Sequence, residues 1–231
     1  MHEANRFMPT NTELLLLDYV SELRSPVYFL TRDDADEIFN MPKHNLLLND
    51  LQSCIKRLLD RQLIEVSVDN INATYDISII TLWLTGENHF RHDIRKIPFY
   101  GLTEKGGLIW EEAFCPEWNS YSKIESSELS QETCIGGYEL TIEAGSLSSL
   151  ETMISNLHDC LGELPRIERL ILEPWHPVYW KTVQKGYFAQ LTVDDELNRK
   201  LDSPSTWYAI VTSKPPWRKS SVFPTSPRSS E

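Results

Sequence analysis

One segment, from residue 45 to residue 61, constrains the fold of this chain more than any other. Its apolar side chains recur mostly at three- and four-residue steps, which places them along one side of an α-helix. These side chains are Leu48, Leu51, Ile55, Leu58 and Leu59. Residues 63–68 then alternate in polarity as a strand does. A helix with one apolar stripe must bury it, so the segment predicts a packed helix followed by a strand.

The elements expected around this helix form a domain over residues 11–120. Helices are predicted over 11–24, over a short stretch after Thr31 and over 104–114, and strands over 27–30, 75–84 and 97–102. Thr31 and Thr103 have the side chains of helix N-caps. In the last helix the side chains expected to face inward are Leu108, Ile109, Ala113 and Phe114.

The rest of the chain predicts a linker and a second, smaller domain. Residues 121–136 are polar and are expected to form the linker. The second domain, 137–213, is expected to contain strands over 138–142, 166–172, 188–193 and 207–211, with helices over 148–161 and 178–184. Residues 1–10 are expected to be flexible and 214–231 disordered. The fold class that follows is α+β.

Charge is unevenly distributed along the chain, whose formal net charge is −12. Residues 101–163 hold 12 acidic and 2 basic side chains, whereas the segment after them is net positive. An acidic region of this kind repels nucleic acid and attracts basic partners. The protein-binding residues predicted from this block are Glu111, Glu112, Glu117, Glu125, Glu128 and Glu132.

Nothing in the sequence indicates an enzyme. The phosphate-binding, dinucleotide-binding, hydrolase-elbow and zinc-protease motifs do not occur in it, so no catalytic residue or cofactor is predicted. His89 and His92 have the spacing of two metal ligands but no third ligand, so no metal site is predicted either. The four cysteines form no C-x-x-C pair, and no apolar run approaches the length of a membrane span. These features favour a cytoplasmic location without a membrane partner.

Two segments resemble bacterial winged-helix regulators. Residues 51–65 look like the third helix and following strand of that family, and the run Tyr-Gly-Leu-Thr-Glu-Lys-Gly at 100–106 is similar to the motif that closes its wing. The resemblance implies a winged-helix-like N-terminal domain. The chain departs from the family in two respects: more than thirty residues separate the third helix from Tyr100, and the second helix is acidic. A further stretch, 106–118, resembles uncharacterised bacterial proteins, some of them grouped with immunity proteins of toxin systems.

These observations lead to two alternative functions. In the first, the protein is an immunity- or antitoxin-like binder that uses its acidic residues against a basic effector, such as a nuclease toxin. In the second, it is a DNA-binding transcriptional regulator whose C-terminal domain senses a ligand or dimerises. The residues expected to contact DNA in that case are Asn45, Asn49, Gln52 and Lys56 on the third helix and Arg91, Arg95 and Lys96 in the wing.

Overall fold

The computed structural model describes residues 8–39, 41–67, 76–86, 96–128, 138–162, 164 and 166–193. The chain divides into two compact units. The first contains residues 1–114 together with 178–180, and the second contains 115–177 and 181–231. Both units combine helices with a sheet, so the protein is α+β, as the sequence predicted. Within the described ranges, no helix has both the length and the apolar character that crossing a bilayer requires.

The described part of the first unit contains five α-helices and a three-stranded sheet. The helices are α1 (Asn11–Asp18), α2 (Ala35–Phe39), α3 (Leu48–Asp60), α4 (Ile77–Thr85) and α5 (Glu104–Phe114). The strands are β1 (Ser25–Pro26), β2 (Ile64–Ser67) and β3 (Phe99–Leu102). Strand β3 lies between the other two and pairs with both in the antiparallel sense.

The second unit has one helix packed on a four-stranded antiparallel sheet. Its strands, in spatial order, are β4 (Ser122–Glu128), β5 (Tyr138–Ala144), β9 (Gly186–Val193) and β6 (Glu168–Leu172). Helix α6 (Leu147–Leu161) covers one face, and the side chains between helix and sheet, among them Leu140, Ile142, Leu150 and Leu157, are fully buried. Between β6 and β9 the chain makes a hairpin of β7 (Trp175–Val178) and β8 (Lys181–Val183).

The apolar stripe of α3 is confirmed at four of its five positions. Leu51, Ile55, Leu58 and Leu59 are buried, whereas Leu48, the first residue of the helix, is 39% exposed. The start of α1 is fixed by a capping box in which Thr10 and Glu13 each accept a hydrogen bond from the other's backbone N–H. This helix ends at Asp18, six residues before the predicted end.

The predicted strand over 75–84 is wrong, because most of this segment forms helix α4. Asp76 caps the helix by accepting a hydrogen bond from the Ile79 N–H at 2.9 Å. Behind that cap, Ile80, Trp83 and Leu84 are buried at three- and four-residue spacing. Isoleucine favours strands, and this segment contains three isoleucines. The cap at Asp76 and the burial of one side of the helix outweigh that preference. The predicted strand over 27–30 is also wrong: Val27–Thr31 forms a 3₁₀ helix, and only Ser25–Pro26 pair with β3.

Helix α5 buries a different side from the one predicted. Its buried residues are Gly106, Gly107 and Trp110, whereas Leu108 is 56% exposed and Ala113 is exposed too. A Cβ atom on Gly106 would lie 1.8 Å from the carbonyl oxygen of Leu63, closer than atoms can approach. The two glycines therefore let α5 lie directly against its neighbours, and this close approach decides which side of the helix faces inward.

Three predictions about the second half of the chain need correction. Residues 122–128 are strand β4, paired along its whole length with β5, and not part of a linker. The predicted helix over 178–184 is instead the turn and second strand of the hairpin. The first unit ends at residue 114 and takes in residues 178–180, whereas the sequence predicted a domain boundary near 120. The predicted strand over 207–211 and the tail from 214 lie outside the described residues, as do residues 1–7 of the N-terminus.

The short piece of the first unit that comes from the hairpin contributes two aromatic anchors. The Tyr179 hydroxyl donates a hydrogen bond to the carbonyl oxygen of Val20 at 2.8 Å and accepts one from the Leu102 N–H. The indole N–H of Trp180 donates to the carbonyl oxygen of Ser21 at 2.8 Å. Two backbone carbonyls after α1 thereby gain donors from residues nearly 160 positions away in the chain.

Candidate functional site

The strongest candidate for a functional surface is the face of the second sheet that lies opposite α6. Side chains of successive strand residues point to opposite faces, and directly paired residues of neighbouring strands share a face. Leu140 and Ile142 point to the helix, so Glu139, Thr141 and Glu143 point the other way. The residues that share this face are, strand by strand, Lys123 and Glu125; Glu139, Thr141 and Glu143; Phe188 and Gln190; and Glu168 and Leu170. We call this set the acidic sheet face.

The charges of the acidic sheet face are unbalanced. It holds four carboxylates and a single ammonium, that of Lys123. The Lys123 Nζ lies 3.3 Å from an oxygen of Glu143 and 3.5 Å from one of Glu125, so its charge is shared by two carboxylates. Arg169, the neighbour of Glu168 along β6, is turned to the helix side, where its guanidinium makes two hydrogen bonds with Glu151 of α6. The face therefore keeps a net negative charge.

Neutral donors position two of the carboxylates. The indole N–H of Trp175 donates to Glu143 at 2.7 Å, and the side-chain amide of Gln190 donates to Glu139. Trp175 is itself buried, so it presents a fixed donor to Glu143. Glu125 and Glu168 are the more exposed members, and Glu125 keeps 66% of its side-chain surface accessible. Two carboxylates are thus held in place and two are available to solvent.

An apolar patch adjoins these charges at the edge strand β6. Leu170 is 57% exposed on the acidic sheet face, next to the half-buried ring of Phe188. Ile171, the next residue of the strand, is 56% exposed on the other side. Of these two side chains, Leu170 thus adds exposed apolar surface next to the unbalanced charge, a combination that occurs on surfaces that bind other proteins.

The six acidic residues predicted from the sequence lie in different elements of the chain. Glu111 and Glu112 belong to α5 in the first unit, and Glu117 precedes a short 3₁₀ helix in the second. Glu125 is the one whose side chain lies on the acidic sheet face. The backbone of Glu128 pairs with Tyr138 at the end of β4, and Glu132 lies outside the described residues. The structure adds Glu139 and Glu143, which the polar–apolar alternation of β5 would have revealed, and Glu168, whose strand Glu168–Leu172 shows no such alternation.

The side of α3 expected to contact DNA is only partly available. Gln52 is 7% exposed, and its side-chain amide donates a hydrogen bond to the Thr81 hydroxyl of α4 at 2.9 Å. The ammonium of Lys56 pairs with Asp60 one turn further along the same helix. Asn49 is exposed, and so is Asn45, which precedes the helix and donates to the Lys43 carbonyl. Lys96 is exposed next to β3, whereas Arg91, Arg95, His89 and His92 lie outside the described residues.

The environment of Cys54 makes its thiol a poor nucleophile. It is 3% exposed, and burial raises the pKa of its thiol to about 11. The reactive form of a cysteine is the thiolate, which at pH 8 then amounts to about one part in a thousand. Cys115, in contrast, is exposed.

We therefore expect iodoacetamide to alkylate Cys115 at least about 100-fold faster than Cys54 in the folded protein. Timed alkylation followed by peptide mass mapping measures both rates in one sample. The same experiment in denaturant serves as the control, since the difference should then disappear. Comparable rates in the folded protein would show that Cys54 is accessible and ionised.

In comparisons with known proteins, no family model, no curated protein and no solved structure matches the chain.

Proposed function

We propose that this protein is a non-enzymatic binder of a basic protein and that the acidic sheet face is its docking surface. The observation that supports the proposal best is the row Glu125, Thr141, Gln190 and Glu168, which crosses four strands and has a carboxylate at each end. The Lys123 ammonium, 3.5 Å from Glu125, is shared with Glu143 and does not balance the charge of the face. A rigid sheet holds such charges in fixed positions, so a complementary surface meets them without ordering loops first. Complementary charge raises the rate of association and discriminates against wrong partners.

The first unit is proposed to have a winged-helix-like fold that does not act on DNA. The antiparallel pairing of β3 with both β1 and β2, and the helices before them, support the resemblance. The hydrogen bond between Gln52 and Thr81 favours the protein-binding function over the regulator, because it occupies an amide that base reading would need. The net charge of −12 also opposes approach to a phosphate backbone.

The most concrete form of the proposal is an immunity- or antitoxin-like role. A nuclease effector that binds nucleic acid carries a basic surface, and an acidic protein that covers this surface blocks the substrate. Inhibition should then be stoichiometric and should weaken as salt screens the charges.

The experiment compares single charge reversals within the second unit. Glu125→Lys and Glu168→Lys change the two exposed carboxylates of the face, and Asp159→Lys is the matched control on α6, which covers the opposite side of the sheet. Proteins captured from the source cells by the wild type and by Asp159→Lys, but not by the Glu125→Lys/Glu168→Lys double variant, are the partners to purify. Their association rates are then measured at about 0.1 M and about 1 M salt, between which the Debye length falls from about 10 Å to about 3 Å.

At the lower salt concentration we expect Glu125→Lys and Glu168→Lys each to slow association about threefold to tenfold, because each reverses a steering charge. Asp159→Lys should change the rate less than about twofold, and all rates should converge at the higher salt concentration. Thermal midpoints should remain nearly unchanged, since both side chains are exposed. A captured partner with an acidic surface, or rates that depend neither on salt nor on these two residues, would refute the proposal.

A further inference from the structure

The first unit contains a cavity of about 650 Å³ that the proposed protein-binding function does not use. Small-molecule sites commonly have volumes of about 300–1,000 Å³ and mostly apolar walls. The walls of this cavity include Leu14 of α1, the buried Leu63 that precedes β2, and Leu108 and Ile109 of α5. Leu108 is 56% exposed and Ile109 is half-buried, so this part of the apolar wall is accessible to a ligand.

Two basic residues line one end of the cavity. Lys105 and Arg61 both line it, and the Lys105 ammonium donates a hydrogen bond to the carbonyl oxygen of Arg61 at 2.7 Å. The carboxylate of Glu112 also lines the cavity, but it lies two helical turns further along α5, roughly 10 Å away along the axis. Between these charged ends, Leu108 and Ile109 present the apolar stretch of the same helix.

We propose that this cavity binds a small amphipathic anion, a medium-chain carboxylate in chemical class. Its carboxylate lies beside Arg61 and Lys105, and its hydrocarbon chain lies along Leu108 and Ile109 toward Leu14. The ammonium of Lys105 at one end selects a negatively charged head group. The apolar walls contribute a binding free energy in proportion to the number of CH₂ groups they cover.

The test uses octanoate as the probe and follows backbone amide shifts of the full chain by NMR. We expect saturable binding of roughly millimolar affinity or tighter, a range accessible to a ligand of this size, with the largest shifts in residues 104–113 and 61–63. Hexanoate should bind about tenfold more weakly, because two buried CH₂ groups are lost. Octylammonium has the same chain and the opposite head-group charge, and it should bind at least about threefold more weakly than octanoate.

Two pairs of variants locate the site. Leu108→Glu puts a carboxylate in the apolar wall and should abolish octanoate binding, whereas Leu82→Glu, on an α4 leucine that is 46% exposed, should not change it. Lys105→Gln should weaken octanoate binding about threefold and remove most of the preference over octylammonium. Its control, Lys56→Gln, should change neither. All four positions are outside the buried core, and unchanged thermal midpoints verify that the variants fold.

Equal affinity for octanoate and octylammonium would overturn the assignment of an anion. Shifts that fail to saturate, or that persist in Leu108→Glu, would overturn the site itself.

Discussion

Replacing Ile55 by alanine should lower the free energy of unfolding by about 2–5 kcal/mol. Ile55 lies in the middle of the apolar stripe of α3 and has no accessible surface. Truncation removes buried methyl and methylene groups and leaves a cavity that neighbouring side chains fill only in part. Unfolding in urea, followed by circular dichroism, measures the difference, which is a large fraction of the total stability of a typical domain.

The matched control is Ser53→Ala on the same helix. Ser53 is exposed, and alanine is the better helix former, so this change should alter stability by less than about 0.5 kcal/mol. A loss below about 1 kcal/mol in Ile55→Ala would contradict the packing described for α3.

Gly106→Ala should also destabilise the protein, although alanine normally favours a helix. In a helix interior that exchange gains about 1 kcal/mol from backbone propensity. At Gly106 the new Cβ would lie 1.8 Å from the Leu63 carbonyl oxygen and 2.7 Å from its carbon, both backbone atoms that a rotamer change cannot move. Helix α5 would have to shift away from Leu63, and overpacking of this kind costs about 1–3 kcal/mol. The severe overlap favours the upper part of that range, and the propensity gain offsets about 1 kcal/mol of it, so we expect a net loss of about 1–2 kcal/mol in thermal or urea unfolding.

Ala113→Gly provides the reference for the same helix. Ala113 is exposed near the end of α5, so glycine there should cost at most about 1 kcal/mol through propensity alone. If Gly106→Ala were as stable as the wild type or more stable, the close approach of α5 to Leu63 would be wrong.

The segment between β2 and β3 bears on both proposed functions. The sequence predicted a strand there, as the wing of a DNA-binding domain would have, but the structure has helix α4. The Thr81 hydroxyl of α4 accepts a hydrogen bond from the side-chain amide of Gln52. Helix α4 therefore packs against the side of α3 that carries Gln52. The two proposed binding surfaces are the acidic sheet face in the second unit and the apolar cavity in the first.

Helices with a strong apolar period were predictable from the sequence. The period of α3 and the cap Thr103 of α5 gave the type and position of these helices within a few residues. Helix α6, predicted to begin at 148, begins at Leu147 behind the cap Ser146. Helix α4 was not predictable, because its isoleucines favour a strand and the deciding feature is a single cap at Asp76. The side of α5 that faces inward was not predictable from the sequence either. A glycine has no side chain whose polarity indicates burial, and its close contact with Leu63 is visible only in the folded protein.

The candidate site, too, was predictable from the sequence only in part. The sequence revealed an excess of acidic residues between 101 and 163, but proximity along the chain does not place side chains on one surface. Strand pairing brought Glu168, forty-three positions after Glu125, into the same cross-strand row as Glu125. The register in which the four strands pair therefore decides which residues belong to the acidic sheet face.

The sequence by itself determined the α+β class, most of the helices, the strands of the second sheet except β4 and the excess of negative charge. These properties depend on local periodicity and on composition, which a linear chain displays directly. Only the tertiary structure decided that α4 packs on α3, that Tyr179 and Trp180 belong to the first unit, and which carboxylates share a face. Each of these depends on contacts between residues far apart in the chain, whose energies no local pattern records.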